Sequence, residues 1–453
     1  MSQPLNISAR QRNLAVLTMM LGSFIAVLNQ TLLATALPDM MVSFHLTLSS
    51  AQWVTTIFML INGIMIPISA YLTSNYSTRQ LYFTATLLFM LGSLLCLVSP
   101  TFLLLLLGRA IQAIGAGILI PLMQVVLLTA YSVKERGVAM GIFGLITGFS
   151  PALGPTLAGW ILSFYHWPAI FVFVLVAMLL NVGVSLFLVK NLTLTNASQL
   201  DVLSVVLSTV SFGGLLYGFS TASRIGFSKG WLWGLIGLSL LALFWYVRRQ
   251  KQLENPMLDM AVLRSSTFVE SCLMIIIMFM IFNSSMTLMP IYIQKIRGLT
   301  ALQSGLIILP GGLLMGLLAP ITGRLYDKWG GKVFAVSGML LILIGSLLLS
   351  HLTAASQPYA IVINFMVLMT GNAFILTPLT AKAMNALPLS LIPHGSAMNS
   401  SSRQLFAAIG TAVFVSIMGM QKTLEAGFQF TYSVISGLAA LGLFLAIRSK
   451  ENK

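Results

Sequence analysis

The chain has 453 residues, of which 58% are hydrophobic and only 7% charged. Soluble globular domains carry about 25% charged residues, so this composition excludes a water-facing surface of ordinary size and describes an integral membrane protein. The net charge of +15 is scattered in ones and twos between apolar runs, which excludes a phosphate-binding face and fits Lys and Arg held on the cytoplasmic side of a membrane.

From the amino end, residues 1–13 form a short tail with Arg10 and Arg12. The apolar run Leu14–Leu37 is too long for the core of a signal peptide and reads as a first span. At about twenty apolar residues per crossing, further spans are expected at 53–72, 82–99, 102–124, 139–160, 168–188, 202–220, 231–247, 268–292, 303–323, 333–351, 358–378, 402–420 and 430–447, fourteen in all. The expected fold is therefore an all-α membrane protein. Its divisions are a cytoplasmic tail at 1–13, a six-helix bundle at 14–190, two inserted helices with a cytoplasmic linker at 191–267, a second six-helix bundle at 268–447 and a tail at 448–453. With both termini inside, about 18 basic residues fall on the cytoplasmic side, Lys134, Lys328, Lys382 and Arg403 among them, against 5 outside. Arg109 is left within the membrane.

The first span holds Asn29 and Gln30 in "LNQTLLATALP". The loop after the second span, "AYLTSNYSTRQLYF", carries Arg79 and is echoed by "GRLYDKWGGKVFAV" after the tenth. Such pseudo-repeated halves are a feature of secondary transporters. In the second copy Gly323 and Arg324 precede Asp327, which can pair across the loop with Arg324 and Lys328. Gly330-Gly331 permits a tight turn at positive φ, and Lys332 follows.

In the fourth span, "GRAIQAIGAG" places Arg109 about two turns inside the apolar run. A charge there costs ~2.5–3.5 kcal/mol on insertion scales, so it requires compensation or use. Gln112 shares its helix face, Gly115 and Gly117 thin the next turn, and Asn29 and Gln30 are available as polar partners. The residues alone allow a cavity-facing role or an arginine that ties helices through carbonyls. The fifth span contains "GFSPALGPTLAGW", in which Pro151 and Pro155 each remove a backbone donor, while Gly154 and Gly159 remove side-chain bulk and favour close helix approach. Other mid-span candidates are Phe58, Gln124, Asn283, Asn372 and Gln404.

Arginine cannot release its proton at ordinary pH, so proton exchange needs another group. Most of the nine acids lie in loops or tails. Asp39 falls at the outer mouth, Asp201 at a helix N-cap, and Glu270 near the start of the ninth span. Cys96 and Cys272 are far apart, and the four histidines show no ligand spacing, so neither a metal nor another cofactor is expected.

These motifs resemble the major facilitator superfamily, specifically its fourteen-helix drug:proton antiporter family. "GRAIQAIGAG" looks like the fourth-helix motif, "SPALGPTLAGW" like the antiporter motif of the fifth helix, and "GRLYDKWGGK" like the loop motif between paired helices. "LNQTLL" with "STRQLYF" looks most like the lincomycin-resistance-type branch. Asn29 departs from the family's usual first-helix aspartate, and Ser74 and Ser77 depart from its first-loop acid and glycine. The resemblance implies two six-helix bundles plus two extra helices in a monomer of the plasma membrane. It also implies export of small lipophilic or amphipathic compounds against protons by alternating access, without enzymatic activity. Arg109, Gln112, Asn29, Gln30 and Glu270 would serve substrate and proton. Pro151, Gly154, Pro155 and Gly159 would serve gating, and Arg79 with Gly323, Arg324, Asp327, Gly330 and Lys332 the cytoplasmic loops. The alternative is a carrier of one metabolite or nutrient on the same fold.

Overall fold

Serine and threonine hydroxyls start six of the helices, each accepting an orphan backbone N–H of the first turn, as Ser8 does from Gln11 and Thr101 from Leu104. Ser77 and Thr300 complete capping boxes with Gln80 and Gln303. The computed structural model describes residues 8–46, 48–132, 135–192, 201–254 and 256–449. Within them, the side chains of residues 34, 38, 48, 49, 136, 137, 147, 151, 152, 155, 223–225, 301 and 327 are outside the description.

The amino-terminal helices are α1 (Ala9–Phe44), α2 (Trp53–Asn75), α3 (Thr78–Leu97), α4 (Phe102–Ala130), α5 (Arg136–Phe164) and α6 (Pro168–Leu188). Helix α7 runs from Val202 to Ile225 with a π-turn at Thr209–Gly213, and α8 covers Gly230–Gln250. After a linker come α9 (Ser266–Ile291, extended by a π-turn to Ile296), α10 (Leu302–Tyr326), α11 (Lys328–Ser350), α12 (Pro358–Asn385), α13 (Ile392–Gly419) and α14 (Leu424–Arg448). Thirteen of these are long and apolar enough to cross a bilayer; α5 contributes the shorter apolar stretch Val138–Ser150, completing fourteen spans. Helices α10 and α11 are continuous except at Gly330, whose φ of 74° breaks the rod at the expected turn.

Loop contacts sort the helix ends into two groups. At one end, Arg12 on α1 donates to the Ala130 carbonyl closing α4 and pairs with Glu135. Arg79 reaches the Leu186 carbonyl of α6, Asp259 of the linker donates to His394 of α13, and Gly331 abuts Lys382 of α12. At the opposite end Trp167 donates to Ser43, and Tyr292 to the Thr353 carbonyl. Most of the described basic loop residues lie at the first end.

Two large cores follow. One is built from α1–α6, and the other mainly from α9–α14. The first core also takes in Phe268, Ala383, Met384, Leu387 and Ile392, which are the basic-end tips of α9, α12 and α13. The two bundles are therefore sealed together at that end. Helices α7 and α8 form a third cluster against α2 and α13, with Leu216 and Tyr246 beside Ala70, Ala397 and Leu405.

Several boundaries differ from expectation. Helix α1 continues through Asp39, which is exposed on it, and α5 is unbroken through Pro151 and Pro155. Helix α13 begins at Ile392 instead of 402, because the polar run "HGSAMNSSSRQ" buries Ser396, Asn399, Ser400 and Arg403 against other helices. Arg403 accordingly sits about 16 Å inside the helix at 1.5 Å per residue, and its expected place at the cytoplasmic edge is corrected. Asp201 stands at the expected N-cap position of α7, with no side-chain cap bond. Its carboxylate instead accepts from Arg249 Nε at 2.6 Å and Nη2 at 2.9 Å.

Candidate functional site

The helix packing around Arg109 follows from small residues. A Cβ on Gly108 would stand 2.9 Å from the Cys96 nitrogen, and one on Gly115 would stand 2.8 Å from the Phe89 nitrogen. On the other flank, a Cβ on Gly117 would reach 2.5 Å from Met65 Cβ. Glycine thus lets α2 and α3 press directly on α4, which excludes water from the arginine by backbone contact.

Arg109 is fully buried. Its Nε donates to the Val54 carbonyl of α2 at 3.2 Å, and its Nη1 donates to Gln112 Oε1. The guanidinium lies 4.2 Å from the centre of the Phe58 ring, a cation–π contact in a desolvated place. Gln112 Nε2 passes the chain on to Ser93 Oγ at 2.7 Å, and Ser93 donates to the Phe89 carbonyl. Nη2 has no partner among the described residues. The result is a permanent positive charge, held by three helices, with the Nη2 donors unspent among the described residues.

Arg109, Gln112 and Phe58 are brought together; the first-helix amides are not bonded to them. Asn29 is fully buried with neither amide atom partnered among the described residues, and Gln30 is half-buried. The partners of Arg109 come from α2 and its own helix, not from α1 as expected. Glu270 lies elsewhere, in a cleft of about 230 Å³ lined by Leu273, Met274, Leu445, Arg448 and Ser449 between α9 and α14.

On α5 the close approaches fall mainly on the half nearer the basic end. A Cβ on Gly141 would stand 2.6 Å from Pro320 Cα of α10, and one on Gly144 would be 2.8 Å from Ala319 Cβ. A Cβ on Gly148 would stand 3.3 Å from the Gly316 nitrogen. Gly154 abuts α1, where a Cβ would lie 2.8 Å from Thr31 Cβ, whereas nothing approaches Gly159 within 4 Å. The expected close packing at Gly159 is therefore absent. The side chains of Pro151 and Pro155 lie outside the described residues.

In the loops, Arg79 donates to the Leu186 carbonyl at 3.3 Å, and its own N–H donates to Asn191. Gly323 is buried and Lys332 half-buried. Arg324 lines a cleft of about 590 Å³ with Val138, Ile321, Leu325 and Lys328, between α5 and α10. The Asp327 side chain and all of Lys134 lie outside the described residues, so neither expected placement is described.

Sequence reasoning missed Arg403, which is only 8% exposed, lies 4.8 Å from the centre of the Phe279 ring, and has Nε and Nη1 unpartnered among the described residues. Its signal was available: α13 is polar on one face only if that face packs on protein.

The pattern of the Major Facilitator Superfamily matches residues 19–411. The chain is 40% identical to an uncharacterized MFS-type transporter, YcnB of Bacillus subtilis, over 96% of this chain and 92% of that one. It is 33% identical to the lincomycin resistance protein LmrB of Listeria monocytogenes, over 97% of each. Among solved structures, the human organic anion transporter MFSD10 superposes with a TM-score of 0.73 at 16% identity, covering 98% of this chain and all of that one. At that identity the likeness concerns the fold alone.

Proposed function

The chain belongs to the major facilitator superfamily, and on that premise we propose that it is a proton-coupled exporter of small lipophilic or amphipathic compounds. It is a multi-pass membrane transporter and not an enzyme. The observation that carries the finer reading is Arg109: a guanidinium buried on all sides, bonded to α2 and to its own helix, with Nη2 unpartnered among the described residues. A charge maintained there at several kcal/mol has to repay its burial through a polar cargo or a proton relay. Its relative LmrB is a lincomycin resistance protein, which supports an antibiotic or similar amphiphile as cargo.

The two separate cores would rock about the α5–α10 contact. There Gly141, Gly144 and Gly148 on one side meet Gly316, Ala319 and Pro320 on the other, giving a smooth face for sliding. Both termini and the basic loops are assigned to the cytoplasm; on that assignment the seal at that end would correspond to an outward-facing state. The carrier acts as a monomer. Gly154 would set the α1–α5 contact on the outer side, and Arg324 and Arg79 the inner loops.

Export of a fluorescent amphiphile from cells lacking other exporters tests the reading. Extrusion should stop on adding a protonophore and in Arg109→Gln. Extrusion that continues in both would refute it.

A further inference from the structure

Helix α13 holds a second buried guanidinium that the transport reading above leaves idle. Arg403 has no partner for Nε or Nη1 among the described residues, and Phe279 of α9 covers its face. One turn earlier, Asn399 is buried with Nδ2 unpartnered, while its Oδ1 faces the Cys272 thiol at 3.9 Å. Cys272 is also within electrostatic range of Arg403, so the three groups share one place between α9 and α13. Along the same stretch of α13, Ser396 and Ser400 donate to Gln124 Oε1 of α4 at 2.7 and 3.1 Å. Gln124 Nε2 is left without a partner.

The orphan nitrogens here, on Arg403, Asn399 and Gln124, are all N–H donors. Buried donors without acceptors are costly, and native structures rarely keep them unless something fills the need. No Asp or Glu is buried among the described residues, whereas Arg109 and Arg403 are. The interior therefore offers positive charge and donors in excess.

We propose that Gln124, Asn399 and Arg403 bind the anionic head group of an otherwise apolar solute, a carboxylate, sulfonate or phosphate. The proposal rests on the carrier reading and narrows its cargo. The guanidinium fork suits two oxygens of such a group, and the Phe279 ring beside it suits an apolar body. Because Gln124 belongs to the first bundle and Arg403 to the second, an anion between them would compete with Gln124 Oε1 for the two serine hydroxyl protons that hold α4 to α13. Binding would then favour parting of the sealed end.

The test uses purified carrier in vesicles of zwitterionic lipid, under an imposed pH gradient. Three probes share a dansyl-labelled alkyl chain and end in a sulfonate, a neutral sulfonamide or a trimethylammonium. The sulfonate should be transported roughly tenfold faster than the other two, as the value of charge-assisted hydrogen bonds leads one to expect. Arg403→Gln should erase that preference, the sulfonate-to-sulfonamide rate ratio falling to about one, and Arg403→Lys should retain part of it. Elution and melting of the Lys variant show whether the fold survives, and the head-group preference of the wild type needs no variant at all. A second set of vesicles containing phosphatidylglycerol separates the two sources of an anionic head: slower sulfonate flux there identifies lipid as a competitor for the same site. Equal transport of all three probes overturns the anion site and leaves the carrier reading standing. Absence of transport for every probe overturns both.

Discussion

The Val54 carbonyl of α2 accepts a hydrogen bond from Nε of Arg109 on α4 at 3.2 Å, so a charge in one helix is neutralised in part by the backbone of the next. The same guanidinium lies over Phe58, one turn along α2. Lysine can place a charge here but cannot reach the carbonyl, Gln112 and the ring together. Hydrogen bonds to charged groups are worth ~1.5–3 kcal/mol each, so Arg109→Lys should lower export roughly tenfold or more. Dye efflux normalised to membrane-inserted protein measures this, and wild-type efflux would contradict it.

Gly141 and Gly159 belong to the same helix and should respond in opposite ways. A Cβ on Gly141 meets backbone of Pro320 and Ala319, which cannot step aside. Gly141→Ala should cost ~1–3 kcal/mol in the sealed state through overpacking, seen as freer thiol labelling at the basic end. Gly159 has open space around it, so Gly159→Ala should change melting and export little, within ~0.5 kcal/mol.

Tyr82 donates to Asn181 Oδ1 at 2.5 Å, and Asn181 Nδ2 donates to the Thr18 carbonyl at 2.8 Å, tying α3, α6 and α1 together. Asn181→Ala removes both bonds and leaves buried polar atoms behind. A loss of ~1–3 kcal/mol is expected, read as a lower melting temperature with Tyr82→Phe/Asn181→Leu less affected than Asn181→Ala alone.

The Asp201–Arg249 pair fastens the start of α7 to the end of α8. Hydrogen bonds from Arg249, and then from Ser204, hold the Asp201 carboxyl at about 2, below its ordinary value. A depressed carboxylate contributes stability above its unfolded pKa and loses it as pH falls toward the folded value. The melting difference between wild type and Asp201→Asn should therefore be constant from about pH 5 to 8 and shrink below about pH 4. Because the pair is exposed to solvent screening, the difference should be small.

The rods themselves were legible because lipid demands long apolar runs. Turns were legible where chemistry forces them, as at Gly330, whose positive φ matches its place in the loop motif. Helix α13 was not, since its first ten residues bury polar side chains against protein and so carry no lipid-facing hydropathy. Arg403 was misplaced for the same reason. Arg109 could be found from its flanking leucines, and Phe58 from its mid-span position, but pairing them required the tight glycine contacts between α2, α3 and α4. The indifference of Gly159 could not be read from a motif at all, because it depends on what stands opposite.

Helices α7 and α8 grip both halves of the molecule at once. Leu216 of α7 sits where a Cβ on Gly63 of α2 would go, beside Gln404 of α13. If the halves swivel, this pair cannot follow both. It must slip along one of them like a saddle, and the linker before Ser266, pinned by buried Met257, Leu258 and Val262 and by the Asp259 N–H on His394, is the tether that limits its travel. Loosening that tether should free the swing without touching any group that meets cargo.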